Sequence, residues 1–131
     1  MEMEIYFPGG KRVDANYKGF TIKTDQSKLS GGDGSAPAPF DLFLTSIGTC
    51  AGIYVLGFCQ QRGISAEAIK LVQRIEYNQI ERRIGKINIE IQVPPDFPAQ
   101  YKDAVIRAAQ LCAVKKYITN PPHFEVYTKV V

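Results

Sequence analysis

The sequence has a single histidine, His123, and no CxxC or HxxxH spacing, so a metal centre assembled from His123, Cys50, Cys59 and Cys112 has little to build on. It also lacks a large excess of either charge. Sixteen Lys and Arg stand against thirteen Asp and Glu, a net +3, and bases mix with acids as in Glu81-Arg82-Arg83. That excludes the basic footprint of a nucleic-acid binder. No Lys-Ser/Thr pair follows Gly31–Gly34 at the spacing of a phosphate loop. The segment from Met1 to Phe7 carries acids where a signal peptide carries bases. Three cysteines is an odd number, which excludes a fully paired secreted disulfide framework, and a reducing cytoplasm is the expected compartment. Repeats, low-complexity tracts and long linkers are missing too.

What remains is 131 residues, 45% of them apolar, enough for one domain over 1–131 with a modest core. Residues 1–25 read as short strands: Glu4–Phe7, then Arg12–Tyr17 and Phe20–Thr24 flanking Lys18-Gly19 at hairpin spacing. Ser30–Pro39 reads as a flexible loop whose prolines prime a helix start. Leu42 to Cys59 are eighteen consecutive uncharged positions. A membrane span is rejected for this run, because glycines, threonines and a serine dilute it and its flanks are charged. A helix apolar on all sides also suits the centre of a soluble fold. Arg62-Gly63 supplies its stop.

Leu71–Ile80 and Lys86–Val93 alternate as two antiparallel strands joined through Glu81–Gly85. From Pro98 a helical stripe of Tyr101, Val105, Ala108, Ala109 and Cys112 continues or restarts to Thr119, where Asn120-Pro121-Pro122 ends it. Phe124–Val131 reads as a final strand. The class is α+β with segregated elements.

The cysteines carry the chemistry. Cys50 and Cys59 are nine residues apart on one helix, a rotation of about 900°, so they face opposite sides some ~13 Å apart along the axis and cannot pair. Cys112 lies on another element and either can meet it. Lys115 and Lys116 follow Cys112 by three and four residues, a basic neighbourhood that favours thiolate. Cys50 has no charge nearer than Asp41 and Arg62. Buried among apolar side chains it is inert unless a distant cation folds over it, and Lys11 and Arg12 are the candidates.

The segment from Ala36 to Cys50, a proline and an acid leading into a small-residue run that ends in cysteine, resembles the start of the central helix in the OsmC/Ohr family of organic hydroperoxide reductases. Leu111–Ile118 resembles the family's second motif, where a resolving cysteine opens a short helix. The resemblance implies Cys50 as the peroxidatic cysteine and Cys112 as the resolving one, with Arg12 and Asp41 as further catalytic residues and Phe40, Phe43 and Ile47 against the substrate. It implies a thiol peroxidase that needs no cofactor beyond an external dithiol or lipoyl-type reductant. It also implies an intertwined homodimer with a long buried central helix between antiparallel sheets, and no nucleic acid or membrane as partner. Where the hydroperoxide-reductase branch places a glutamate ten residues before the cysteine, this chain has Phe40, with Asp41 beside it. On a regular helix Asp41 points away from Cys50 and suits the helix start. Ala113 follows Cys112 where proline is common. The alternative function is an OsmC-scaffold protein that binds a small apolar ligand at the dimer interface without turnover.

Overall fold

A computed structural model describes all residues, 1–131. The elements run β1 (Glu4–Gly9), β2 (Arg12–Tyr17), β3 (Phe20–Ile22), α1 (Pro39–Gln61), β4 (Lys70–Asn78), β5 (Arg83–Gln92), α2 (Lys102–Ala109) and α3 (Ala113–Thr119). They fall into two compact units, Met1–Thr45 and Ser46–Val131.

In the first unit β1, β2 and β3 form an antiparallel meander, with Tyr17 paired to Phe20 across Lys18-Gly19. Both turn residues have positive φ, 48° and 80°, the twist a tight hairpin needs. The segment that follows is not the flexible loop expected for Ser30–Pro39. Asp25 is buried and gathers it: its carboxylate accepts from the Gln26 N–H at 2.7 Å, the Ser35 N–H at 3.0 Å and the Ser35 hydroxyl at 2.6 Å. The Ser35 hydroxyl, then the Ser35 and Gln26 amides, hold this carboxyl down at about 2 against desolvation that pushes it up. Pro39 opens α1 where its missing N–H costs nothing, and the Asp41 carboxylate accepts from the Ala38 N–H at 3.1 Å, closing the helix start. Phe40 and Phe43 stack 5.5 Å apart and are exposed.

In the second unit α1 ends where Gly63 takes φ +64°, the Ile64 N–H reaching back to the Cys59 carbonyl at 2.9 Å and the Gly63 N–H to that of Gln60. The Arg62 guanidinium lies 3.6 Å over the Phe58 ring and donates to the Phe58 carbonyl. The core gathers Val55, Phe58 and Cys59 of α1 with Phe97 and Val105, and Leu71, Ile91 and Val93 pack around them. Burial pushes the Cys59 thiol up, as for a small core hydrophobe. An α1 window of mean hydropathy 1.8 is long and apolar enough to cross a membrane, a test that the core helix of a soluble protein also passes.

Strands β4 and β5 pair antiparallel, Leu71 opposite Ile91, Gln73 opposite Ile89 and Ile75 opposite Ile87. Their turn is tighter than the expected Glu81–Gly85 link. The Asn78 side chain accepts from the Ile80 and Glu81 N–H groups, so the chain reverses early and Arg83–Gly85 join the strand. The helical stripe after Pro98 breaks at Gln110-Leu111, so Cys112 lies between helices rather than on the stripe. The strand expected over Phe124–Val131 is not formed. An extended segment becomes a strand only against another edge, and here Phe124, Val126 and Val130 are fully solvated at 78%, 97% and 98% exposure.

Two stability outcomes follow from these contacts. Because Asp25 has a depressed pKa in the fold, its contribution is present above the unfolded value near 4 and is lost as pH falls toward 2. Asp25→Asn therefore lowers the melting temperature at pH 7, and the gap from the native chain shrinks toward zero at pH 2; a gap constant with pH contradicts the assignment. Phe97→Ala, emptying a buried core position, costs about 3–5 kcal/mol in urea unfolding.

Candidate active site

Cys50 is carried on α1 and is half-buried. Its thiol is pulled below the ordinary value near 9, first by the backbone N–H of Val114, then by the Cys112 thiol and the Ala113 N–H, against desolvation that raises it. The donors are the opening amides of α3. The first N–H groups of any helix lack intrahelical partners, and the thiolate supplies one. Within this unit the Cys50 thiol is thus met by peptide N–H groups, while Lys11 and Arg12 lie in the first unit. Ala113 contributes an N–H that a proline at the same place would lack.

Cys112 is buried, 2% exposed, at the cap position of α3. Its thiol donates to the Ile47 carbonyl at 3.9 Å, one helical turn before Cys50. Cys50, Cys112 and Ile47 are therefore brought together. Both thiols are free, with no disulfide between them. Behind them Gly48 is packed against β4: a Cβ there would stand 2.6 Å from Oε1 of Gln73. Glycine at that position lets the strand's side chain lie against the helix two residues before the cysteine.

The other expected site residues lie in the first unit. Arg12 sits on β2, its Nε donating to the Gly9 carbonyl at 3.3 Å, beside a small cleft shared with Asp14, Lys23, Thr24 and Ser35. Asp41 is occupied at the helix start, and Phe40 and Phe43 form the stacked pair described above. Lys115 is beside Cys112, and both line a cavity of about 610 Å³. No three His, Cys, Asp or Glu side chains cluster in a way that could hold a metal ion.

The family model for OsmC-like protein matches residues 32–127, a span that contains Cys50, Ala113 and both thiol-bearing elements. The chain belongs to the OsmC-like family. No protein of curated function matches it in sequence. Among solved structures it is similar to a protein from Psychrobacter arcticus described as osmotic stress induced, a detoxification response protein, with TM-score 0.72 and 21% identity over 87% of this chain and 85% of that one. It is similar to an OsmC like protein from Mycoplasma pneumoniae, TM-score 0.69 and 12% identity over 92% and 87%. It is also similar to an organic hydroperoxide resistance protein OsmC from Legionella pneumophila, TM-score 0.58 and 16% identity over 89% and 87%. At these identities the likeness establishes the α+β OsmC fold.

The backbone donors of this OsmC-like site missed detection because a peptide N–H has no sequence signature; the one available signal was a short helix opening directly after Cys112. Proline at position 114 removes the strongest donor yet is tolerated in a first helical turn. In a Cys59→Ser background, Val114→Pro is expected to slow iodoacetamide alkylation of Cys50 severalfold at pH 7 and to move its rate profile to higher pH. An unchanged profile would remove Val114 from the site.

Proposed function

We propose that the chain is a cysteine-based peroxidase acting on organic hydroperoxides, with Cys50 as nucleophile and Cys112 as resolving thiol. The observation that carries this reading is the Cys50 thiol seated against the opening amides of α3 with the Cys112 thiol beside it. The Cys50 thiolate attacks the terminal peroxide oxygen; the S–O bond forms as the O–O bond breaks, and the alkoxide leaves as an alcohol after taking a proton. The sulfenic acid is then attacked by Cys112. Its S–O bond breaks, a disulfide forms, and the Cys112 proton leaves with the hydroxyl as water. An external dithiol or lipoyl-type reductant returns both thiols by two exchanges and is itself oxidised to a disulfide.

We assign the organic group of the peroxide to Phe40, Phe43 and Ile47, and a supporting catalytic role to Arg12. Asp41 acts through the helix start, where its carboxylate is engaged. The working form is a homodimer in a reducing cytoplasm. Exposed Phe7, Phe20 and Ile53, together with the unpaired Phe124–Val131 segment, supply apolar surface that a second copy covers.

One observation favours a second reading, a ligand-binding protein without turnover: the apolar cavity beside Cys112. The two readings separate on thiol chemistry. One equivalent of cumene hydroperoxide is expected to consume two thiols and to yield a Cys50–Cys112 disulfide by peptide mass mapping. The bridge is lost in Cys50→Ser and Cys112→Ser and kept in Cys59→Ser. If all three thiols survive the peroxide, the peroxidase reading falls.

A further inference from the structure

The cleft that Arg12 borders in the first unit is completed by Asp14, Lys23, Thr24, Ser35 and Ala36 and has a volume of about 200 Å³. That is too small for a cofactor-sized ligand, whose sites run from roughly 300 Å³ upward, and it suits a small ion. Asp14 is buried, 7% exposed, and its Oδ1 accepts from the Thr24 N–H at 3.3 Å. Arg12 stands two residues earlier on β2, so both side chains leave the same face of the strand. Its Nε–H is held by the Gly9 carbonyl at 3.3 Å, which aims the guanidinium and leaves its terminal nitrogens for other partners. Lys23 follows the end of β3 and is exposed. The two hydroxyls of the lining are engaged elsewhere, that of Thr24 donating to the Val13 carbonyl and that of Ser35 to Asp25. Neither Arg12 nor Lys23 reaches Asp14 at ion-pair distance, since the one ion pair of the chain is Arg74–Glu90. Two unpaired cations and a buried carboxylate therefore share a cavity without touching.

A guanidinium and an ammonium facing one small space select for an oxyanion. A buried carboxylate in the same space is acceptor-only, so it selects for a donor. An occupant that serves all three groups carries negative oxygens and one O–H. We propose that this cleft binds inorganic hydrogen phosphate, with charged oxygens on Arg12 and Lys23 and its P–OH donating to the Asp14 carboxylate. Sulfate matches it in shape and charge but has no proton, so it turns a bare oxygen toward Asp14, like charge against like. A phosphate monoester loses its second proton at about pH 6, and above that it too has no P–OH to offer. Asp14 is thus the residue that sets specificity, and the two cations supply affinity. The inference does not rest on the peroxidase reading, and its test uses no peroxide.

The probes are inorganic phosphate, sulfate and methyl phosphate, titrated calorimetrically into the reduced chain at pH 8 and constant ionic strength. Phosphate is expected to bind about tenfold more tightly than either of the others. Lys23→Met keeps the hydrocarbon stem at an exposed position and removes the charge; it should weaken phosphate by about tenfold, and Lys23→Arg should restore it. Asp14→Asn gives the cleft an amide that donates to a bare oxygen, so sulfate should come within about threefold of phosphate, with circular dichroism checking that variant's fold. The proposal is overturned if phosphate does not bind, or if sulfate or methyl phosphate binds the native chain as tightly. It is equally overturned if Lys23→Met binds phosphate as before, or if a folded Asp14→Asn chain keeps the full preference. Should Asp14→Asn not fold, methyl phosphate and Lys23→Met decide by themselves. Failure to bind phosphate leaves the peroxide-dependent disulfide untouched, so the two proposals fail separately.

Discussion

The contact between the Cys50 thiol and the opening turn of α3 ties the chemistry of this protein to its chain path. The Val114 and Ala113 amides are available to a thiolate only because the helical segment after Pro98 stops and starts again. Were α2 to run unbroken to Thr119, those N–H groups would be bonded to carbonyls one turn earlier. The break at Gln110-Leu111 thus creates the donors and also sets Cys112 at the cap, where its thiol meets the same turn of α1. A single interruption positions the anion site and the second sulfur together.

The rest of the second unit serves to hold that meeting in place. Cys59 faces the core with Val55, Phe58, Phe97 and Val105, which fixes the rotation of α1 and so the direction of Cys50. Gly48 admits Gln73 against the helix just before the cysteine, and Arg62 over Phe58 finishes its far end. Within the second unit, peptide dipoles favour the Cys50 thiolate. Their effect persists at salt concentrations that screen a solvated ion pair.

Much of this was legible in the residues, and what was not has a common cause. The Lys18-Gly19 hairpin, the long helix built around the uncharged run, its stop at Gly63 and the opposed directions of Cys50 and Cys59 all follow from local periodicity and turn chemistry. The family resemblance of the two cysteine segments is supported by the match over residues 32–127. The misreadings involve partners distant in sequence or made of backbone. Asp25 orders the loop through Ser35, ten residues on, and no local rule announces that pairing. Asn78 shortens the β4–β5 turn through a side-chain acceptor that a strand pattern hides. Phe124–Val131 has the alternation of a strand, but alternation specifies a face and supplies no edge to pair with. The amides that depress Cys50 are invisible because every residue except proline carries one.

The central claim is that backbone donors of α3 lower the Cys50 thiol below its ordinary value. Thiolate absorbance at 240 nm, titrated in a Cys59→Ser, Cys112→Ser chain so that Cys50 is the sole sulfhydryl, reads this directly, because the Val114 and Ala113 amides remain. The account predicts a midpoint below the ordinary thiol value near 9, moving upward when Val114→Pro is added. A midpoint at or above that value, unchanged by the proline, would contradict it.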